Sequence, residues 1–534
     1  MSKWQNKLCS AGRLSVLVFL SACILFGCAA PAIQTQTGQS NGTYPLQTEE
    51  TLTYWVPLND NLRDVSDDLG ETPFAQELAR QTGVKINYIH PQQANGWHPL
   101  TLLLASGDLP DIIEYSWSAV PGGIQKTYLD NHIIRLNDVI DKWSPNLKAY
   151  LQDHPDVDNM AQTDNGDYLF YPLIRESEDL TVHTGPMIRG DWLEELGLEV
   201  PETIGEWHQA LTLMKQQKGA DAPLVYENNL YSTGDLSGAF GVKQGFYVEN
   251  GQVVYGAAQP GYKAFLQTFR QWYGEGLIDP DIVSVDKLAV ESNIAQGKSA
   301  ATVALAGNGM GRFNRALQQQ NPNYRMVAAP HPVLNKGETP KFGQRGKLLD
   351  MSGSSTCITT SCKNVELAAR FLDFGYTEQG KLLYNFGILG ESYEMRDGQP
   401  AYTDKILHPQ QGDVGAAIAL YARGNQSGPF IQMQQYQMQY YQMPEQREAV
   451  EVWRNSNTLQ YDLPELFLTV EEIQEVAQIQ EALNGYVNDM TNRFLLGLEP
   501  IEQFDTVYQE TLQALRLPRV LEIYQQAYTR HQNR

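Results

Sequence analysis

The chain has 534 residues, with 62 acidic residues against 39 basic residues and five cysteines. With 42% hydrophobic and 10% aromatic residues, it is too apolar for a disordered protein. Five cysteines are too few for a disulfide-stabilised scaffold, and the acidic excess excludes a protein that wraps nucleic acid. At about 100 to 200 residues per domain, this length predicts two or more domains with a sizeable core.

The N-terminus has the order of a secretory signal. Three basic residues precede the apolar stretch Leu14–Phe26, which is shorter than the ~20 residues of a membrane-spanning helix. The stretch ends in Leu25-Phe26-Gly27-Cys28 and resembles a bacterial lipoprotein signal, which is cut before a cysteine that then carries lipid. A signal peptide over residues 1–27 and a lipid containing palmitate on Cys28 are therefore predicted. The alternative is an ordinary signal, or a short N-terminal anchor, with an incidental cysteine.

Residues 28–50 are predicted to form a flexible tether. Residues 29–50 are rich in Ala, Gln, Thr, Ser and Gly and contain almost no aliphatic side chains, so they cannot bury a face. Removal of residues 1–27 takes away three basic residues and no acidic one, which changes the formal charge from −23 to −26. This charge argues against an anionic partner as the main source of affinity, although a local basic patch could hold an acidic ligand.

Strands and helices alternate at short spacing in the first third of the folded body, which begins near Thr51. The predicted elements are a strand at Leu52–Val56, a helix at Pro73–Thr82, a strand at Val84–Tyr88, a helix at Leu100–Ser106 and a strand from Asp111. This alternation is typical of a mostly parallel sheet covered by helices. The first domain is therefore predicted to be α/β.

The middle of the chain continues the alternation, and its end is helical. The predicted elements are a helix at Asp191–Leu196, a helix opened by the capping box Thr203–Glu206, a strand at Ala300–Ala306, a strand at residues 352–360 and a helix capped by Asn364. Beyond about residue 400 the pattern is mainly helical and ends in Phe504–Tyr528. The Gln-, Tyr- and Met-rich segment Gln432–Gln446 is predicted to be an irregular helix or loop without a function of its own.

Cys357 and Cys362 are the cysteines that remain when Cys28 carries lipid. They lie five residues apart, at the end of a predicted strand and the start of a predicted helix. A disulfide is allowed outside the cytoplasm, and two free thiols fit the same spacing. The sequence leaves both arrangements open.

Aromatic side chains at the ends of predicted elements are candidates for a ligand site. They are Trp55, Tyr115, Trp117, Tyr171 and Trp272, and the loop Gly307-Asn308-Gly309-Met310-Gly311 follows a strand in the same way. Open α/β sheets gather ligand groups at such ends, and a flat ring can stack on the apolar face of a sugar while amides and carboxylates bind its hydroxyls. Taken singly, each aromatic residue is more often a core residue, and the glycines fit a tight turn equally well.

Enzyme signatures are absent or incomplete. The nine histidines are scattered and predict no zinc site, and Gly297-Lys298-Ser299 lacks the first glycine of a phosphate loop. Glu114 and Glu391 could be the acid and base of a glycoside hydrolase, but a surface position or a hydrogen bond to a ligand hydroxyl explains each of them. Asn425-Gln426-Ser427 matches a glycan sequon, but the bacterial-type signal argues against a glycan at this site. We therefore predict no enzyme, no cofactor and no metal.

Several stretches, in one order along the chain, carry a resemblance to a known family. They are Ala105–Ile113, Arg189–Leu198 with Pro201–Trp207, Gly276–Pro280, Gln296–Ala301, Gly387–Tyr393 and Ile523–Arg530. Together they resemble family 1 extracellular solute-binding proteins of ABC importers, particularly the LplA/LipO-like sugar-binding lipoproteins of Gram-positive bacteria. The stretches span nearly the whole chain after the signal.

The resemblance implies an α/β, two-lobed fold of the type II periplasmic-binding-protein class, with the ligand cleft between the lobes and a helical C-terminal region. The N-terminal lobe would comprise residues 51–175 and 332–395, and the C-terminal lobe residues 176–331 and 396–534. The chain would cross between them at Tyr168–Thr184 and at about Pro330–Lys341.

The resemblance also implies which residues face the ligand. Tyr115 and Trp117 would come from one lobe and Asn308 and Gly309 from the other. The remaining candidates, named above or carried over more weakly, are Trp55, Asn59, Tyr171, Trp272 and Glu391.

The same resemblance implies that the protein is anchored to the membrane and acts together with a permease there. The lipid would hold the protein on the extracellular face of the cell membrane, where it would deliver a carbohydrate, expected to be an oligosaccharide, to ABC permease subunits. A secreted carbohydrate-active enzyme and a binding subunit of a sensor kinase are the alternatives. A peptide or other non-sugar ligand stays open.

Overall fold

The computed structural model describes residues 43–91, 98–227, 233–349 and 354–533. These residues pack as one compact unit. Cys28, the signal peptide and most of the predicted tether lie outside the described residues.

The strands are short and are separated by helices along most of the chain. The strands are β1 (Thr51–Trp55), β2 (Lys85–Ile89), β3 (Ile112–Ser116), β4 (Ile174–Arg175), β5 (Thr184–Arg189), β6 (Phe246–Glu249), β7 (Gln252–Tyr255), β8 (Ala301–Leu305), β9 (Met326–Ala328), β10 (Ser354–Ile358), β11 (Tyr393–Arg396), β12 (Gln399–Tyr402) and β13 (Ile431–Gln432).

The helices become longer towards the C-terminus. Those before β10 are α1 (Asp60–Arg63), α2 (Pro73–Thr82), α3 (Pro99–Ser106), α4 (Gly123–Leu129), α5 (Asn137–Trp143), α6 (Pro145–Asp153), α7 (Pro155–Ala161), α8 (Gly190–Leu196), α9 (Ile204–Lys218), α10 (Pro260–Gly274), α11 (Lys287–Ala295) and α12 (Arg312–Gln318). Those after β10 are α13 (Val365–Asp373), α14 (Glu378–Phe386), α15 (Asp404–Leu407), α16 (Val414–Tyr421), α17 (Gln434–Tyr440), α18 (Pro444–Arg454), α19 (Thr458–Tyr461), α20 (Val470–Leu495), α21 (Val507–Ala514) and α22 (Leu517–Gln532).

A four-stranded sheet with the order β10-β3-β1-β2 forms the centre of the first lobe. β1 runs parallel to β2 and β3, and β10 pairs antiparallel with β3. α2 begins after the capping side chain of Thr72 and ends at Gly83, whose φ of 75° needs a glycine. Phe74 and Leu78 of this helix pack into the same core as Leu52 and Ile112 of the sheet. The prediction of a mostly parallel sheet covered by helices is confirmed.

A second sheet, with β5 between β8 and β9, forms the centre of the second lobe. β5 is antiparallel to both neighbours. α9 begins with the predicted capping box, in which Glu206 N–H donates to Thr203 Oγ1 and Thr203 N–H donates to the Glu206 carboxylate. Trp207 of α9 and Phe265 of α10 are buried in a core that is separate from that of the first lobe. The predicted two-lobed α/β fold is confirmed.

Extended segments run side by side where the chain passes between the two sheets. β4 pairs parallel with β13, and Ile174 also forms a bridge with Leu349. The Gly346 N–H donates to the Thr181 carbonyl at 2.8 Å. The predicted first crossover, Tyr168–Thr184, contains this β4 pairing.

The stretch Pro330–Lys341, predicted as the second crossover, packs against the second lobe. Val333 forms a bridge with Thr203, at the start of α9, and its N–H donates to Glu202. The glycine and proline of residues 337–340 therefore mark a turn that belongs to the second lobe. Phe342 still packs on Tyr247 of the second lobe, whereas Leu349 is buried in the core of the first lobe, so we infer that the chain passes back between these two residues.

The segment around residues 414–432 packs differently from the lobe assignment that the resemblance implies. The sequence predicts the second lobe for residues 396–534, but Ala419, Phe430 and Ile431 are buried in the core of the first lobe. β13 lies beside β4, which accounts for this packing. The lobe boundaries as a whole stay a prediction.

The prediction of mainly helical structure beyond residue 400 is confirmed by α15 to α22. Among the described residues, no helix is both long and apolar enough to cross a membrane. The segment Gln432–Gln446 is more regular than predicted, since α17 and the first turn of α18 lie within it. Gln437 and Gln446 are buried, and Gln446 Nε2 donates to the Ala306 carbonyl at 2.9 Å. Its glutamines therefore serve as hydrogen-bonding partners inside the protein.

Cys357 and Cys362 are free thiols, and both are buried. Burial raises the pKa of the Cys357 thiol well above its ordinary value. Burial and the nearby Asp111 carboxylate raise the pKa of the Cys362 thiol to about 12. Because the thiolate is the reactive form, the structure favours the free and unreactive alternative.

We expect neither thiol to react with iodoacetamide while the protein is folded at pH 8, and both to react in guanidinium chloride. Peptide mass spectrometry would measure the labelled fraction at each cysteine. Rapid labelling of the folded protein, or recovery of a peptide that joins Cys357 to Cys362, would contradict this expectation.

Candidate ligand-binding cleft

The two lobes meet where α1 follows the carboxyl end of β1. Asn59 caps α1 by accepting a hydrogen bond from Leu62 N–H at 2.8 Å. Asp60 of α1 lies 3.3 Å from Lys287 of α11. Asp64, directly after α1, lies 3.5 Å from Arg312 of α12. We call the pairs Asp60–Lys287 and Asp64–Arg312 the charged clasp, because each joins a first-lobe carboxylate to a second-lobe cation.

A chain of neutral side chains joins the lobes beside the charged clasp. Asn308 Nδ2 donates to Asn61 Oδ1 at 2.9 Å, and Asn308 Oδ1 accepts from the Tyr440 hydroxyl at 2.8 Å. Asn61 is only 7% exposed. Asn308 therefore lies where the two lobes touch, with its own amide already hydrogen-bonded, and its contact with a ligand stays a prediction.

The glycines around Asn308 are needed for close packing and do not adopt a left-handed backbone conformation. Residues Ala306–Gly311 form a π-helical turn, a form that is frequent at functional sites. A Cβ at Gly307 would lie 2.5 Å from the Tyr440 hydroxyl, and one at Gly311 would lie 2.4 Å from Gln446 Nε2. A Cβ at Gly309 would lie 2.8 Å from that of Ala304. Close packing therefore accounts for the glycines, and a contact of Gly309 with the ligand stays a prediction.

An aromatic cluster lies at the carboxyl ends of β1 and β3. The rings of Trp55 and Tyr115 have centroids 5.0 Å apart, and the His98 ring meets Tyr115 edge-on at 5.1 Å. Burial raises the pKa of the Tyr115 hydroxyl, and the positive charge of Arg63 opposes this rise. Trp55 is 5% exposed, whereas Tyr115 and His98 keep accessible surface. The structure thus brings two predicted residues together and adds His98, which the sequence analysis missed.

Three predicted aromatic residues lie in hydrophobic cores and present no surface to a ligand. Trp117 is 0% exposed, and its indole N–H donates to the Ser355 carbonyl at 3.1 Å. Tyr171 is 0% exposed, and its hydroxyl is bonded to that of Ser144 at 2.7 Å. Trp272 is 2% exposed and stacks on Phe269 within α10. For these three residues the core interpretation is the correct one.

The two carboxylates considered as an acid and base pair have separate partners. Glu114 is 1% exposed and accepts hydrogen bonds from the Tyr54 hydroxyl at 2.6 Å, from Arg423 at 2.7 Å and from Ser427 at 2.5 Å. The Glu391 side chain is 40% exposed and pairs with Lys405 at 2.5 Å. No hydrogen bond or ion pair among the described residues joins Glu114 to Glu391. The arrangement does not favour glycoside hydrolysis at these residues.

Metal binding has no support in the part of the chain that the structure describes. Within these ranges, no group of three or more His, Cys, Asp or Glu side chains is placed to hold a metal ion.

The family is shown by comparison with known proteins. The family described as bacterial extracellular solute-binding protein matches residues 67–382. The chain belongs to this family. The resemblance to family 1 extracellular solute-binding proteins is therefore confirmed.

Curated relatives cover much of the chain. The fructooligosaccharide ABC transporter substrate-binding protein FusA of Streptococcus pneumoniae serotype 4 is 24% identical over 551 residues, which cover 97% of this chain and 98% of FusA. Lipoprotein LipO of Bacillus subtilis is 24% identical over 353 residues, which cover 61% of this chain and 65% of LipO.

Solved structures share the fold. The alginate-binding protein AlgQ2 without calcium ion has a TM-score of 0.77 and 24% identity, covering 91% of this chain and 100% of that one. FusA of Streptococcus pneumoniae in complex with kestose has a TM-score of 0.70 and 22% identity, with the same coverage. A solute-binding protein of Bifidobacterium longum infantis has a TM-score of 0.71 and 16% identity, covering 90% of this chain and 99% of that one. These likenesses confirm the solute-binding-protein fold with its cleft between two lobes.

We expect Asp60→Asn with Asp64→Asn to shift this solute-binding protein towards an open form, because both changes remove attraction across the clasp. Exposed ion pairs contribute about 0.2–1 kcal/mol each, so loss of both pairs should lower the ratio of closed to open protein roughly two- to thirtyfold. Small-angle X-ray scattering would measure the radius of gyration at low and high salt.

Glu195→Gln is the matched control, since Glu195 pairs with Lys218 inside the second lobe. The control should scatter like the original protein at both salt concentrations. The combined change Asp60→Lys and Lys287→Asp should restore compactness relative to Asp60→Lys alone. Equal radii for all variants would show that the clasp has no effect on closure.

Proposed function

We propose that this chain captures a carbohydrate outside the cell and delivers it to the permease of an ABC importer. The observation that carries the proposal is the partly exposed Tyr115–His98 pair in the lobe whose helix α1 carries both Arg63, which acts on Tyr115, and Asn61, which contacts Asn308 of the other lobe. One lobe supplies an aromatic surface there, and both lobes supply amides. Rings that stack on a sugar and amides that bind its hydroxyls are suited to a carbohydrate.

The names of the relatives support a sugar and an importer. FusA is named as a fructooligosaccharide ABC transporter substrate-binding protein, and its solved complex contains kestose. AlgQ2 is named as alginate-binding. Since the relatives bind different sugars, they support an oligosaccharide as the class of ligand and do not select one member.

Closure of the lobes would be the signal that the permease reads. The described contacts across the cleft are few and polar, so closed and open forms should differ by little free energy. A ligand that contacts both lobes would shift the population to the closed form. This role needs no covalent step, in agreement with a non-enzymatic protein.

We expect kestose or another oligosaccharide to raise the melting temperature of the protein, because binding to the native state alone stabilises it by mass action, by about 2.7 kcal/mol at a concentration of 100 Kd. A thermal-shift panel of neutral and uronate oligosaccharides would test this, with peptides as non-sugar controls. Chromatography of each hit should recover the sugar unchanged. Shortened sugar would favour the enzyme alternative, and stabilisation by peptides alone would contradict carbohydrate binding.

The position of Cys28 in its signal motif supports anchoring on the outer face of the membrane. We expect cells that express the protein to incorporate labelled palmitate into it, and Cys28→Ser to abolish that incorporation. Cys23→Ser, inside the same apolar stretch, is the matched control and should incorporate label normally. Equal labelling of both variants would contradict lipidation at Cys28. Co-purification with permease subunits, rather than a sensor kinase, would support the transport partner.

A further inference from the structure

The basic side chains near the cleft are already engaged. The elements that meet there, α1, α11, α12 and the loop after α16, contain the basic residues Arg63, Lys287, Arg312, Arg315 and Arg423. His98, before α3, lies with its Nε2 3.5 Å from the Tyr115 hydroxyl. Lys287 and Arg312 belong to the clasp, and Arg63 pairs with Asp60. Arg423 pairs with buried Glu114, and Arg315 donates to the Gln442 amide. The undescribed segments 92–97, 228–232 and 350–353 contain no Lys, Arg or His.

Unused hydrogen-bonding groups at this place are neutral amides. Asn425 Oδ1 and Gln426 Nε2 are buried atoms with no hydrogen-bond partner. A buried polar atom without a partner costs about 1–3 kcal/mol, so native structures rarely keep one without a reason. A hydroxyl group both donates and accepts, so the hydroxyls of a sugar can serve an amide oxygen and an amide N–H alike.

These amides lie beside the contact between the lobes. Asn425 Nδ2 donates to the Gly415 carbonyl at 3.0 Å. A Cβ at Gly415 would lie 3.2 Å from Asn61 Oδ1 and 3.4 Å from Asn308 Oδ1. Gly415 thus links Asn425 to the contact between Asn61 and Asn308.

A buried network holds the loop that carries the amides. Arg423 Nε donates to the Ser427 carbonyl, and both Arg423 and Ser427 donate through their side chains to Glu114 of β3. The Arg423 N–H donates to the Tyr384 carbonyl at 2.7 Å. The loop is therefore fixed to the first lobe from both sides of Asn425 and Gln426, as a preorganised binding element requires.

We propose that the segment Arg423–Gly428, here named the amide loop, contacts the ligand through Asn425 and Gln426 and that the cleft selects an uncharged sugar. This inference rests on the proposed carbohydrate-binding function and adds the charge class of the ligand. A uronate carboxylate is bound best by an arginine or lysine that can form a charge-assisted hydrogen bond. Here such groups are engaged by the protein itself, whereas the amides suit neutral hydroxyls.

The test compares neutral and anionic sugars on the full chain. Calorimetry with kestose, fructosyl-nystose and raffinose, and with trigalacturonate and an alginate tetrasaccharide, should give binding only to a neutral sugar. Its affinity should change little between low and high salt, because no charge is screened. Preferred, salt-sensitive binding of a uronate would overturn the inference while leaving carbohydrate binding intact. Binding of none of these sugars would contradict the proposed function and this inference together.

Variants of the amide loop test the contact itself. Gln426→Ala should weaken binding of the neutral sugar roughly two- to tenfold, the loss of one hydrogen bond, without lowering the melting temperature of the free protein. Asn425→Ala should weaken it to a similar extent. Gln244→Ala is the matched control, since Gln244 bonds to Asn488 in the second lobe, and it should bind like the original protein. Unchanged affinity in both loop variants would show that the loop does not contact the ligand.

Discussion

The buried ion pair between Glu114 and Arg423 is the constraint on which the described cleft depends. Both side chains are nearly inaccessible, and each has additional hydrogen bonds, from Tyr54 and Ser427 to Glu114 and from Arg423 to the Ser427 carbonyl. Loss of one partner of such a pair costs about 3–5 kcal/mol, because the other charge stays buried and unpaired. The pair joins β3 to a segment more than 300 residues later in the chain.

This pair helps to explain why β13 and the amide loop pack against the first lobe. β13 and the amide loop are held against β4 and β3, so the part of the chain that follows the crossovers returns to the cleft. α17 then reaches Asn308 through Tyr440. The cleft is therefore built from at least three distant stretches of chain, and its geometry depends on long-range polar contacts as well as on the two hydrophobic cores.

The sequence predicted the local elements well and the cleft incompletely. α9 and α13 follow the predicted capping side chains Thr203 and Asn364, and α2 has the predicted bounds Pro73–Thr82, because capping and helical periodicity are local. The burial of a side chain depends on distant parts of the chain. At the end of β3, the Trp117 side chain is buried in a core, whereas the Tyr115 side chain keeps accessible surface. The sequence did not indicate that Arg423 and Tyr440 contribute to the cleft, because their partners, Glu114 and Asn308, lie 309 and 132 residues away. The one hint was the unusual composition of Gln432–Gln446, whose buried glutamines and tyrosines pack on the π-helical turn.

Reversible closure requires that contacts between the lobes stay weak in the absence of ligand. The charged clasp is partly exposed, so each pair contributes at most about 1 kcal/mol. The Asn61–Asn308 hydrogen bond contributes about 0.5–1.5 kcal/mol. Their sum is of the same size as the cost of ordering a few side chains, so these contacts guide the lobes together without holding them closed. The free energy that stabilises the closed form must then come from the ligand, and for the uncharged sugar that we propose it would come from ring stacking and neutral hydrogen bonds.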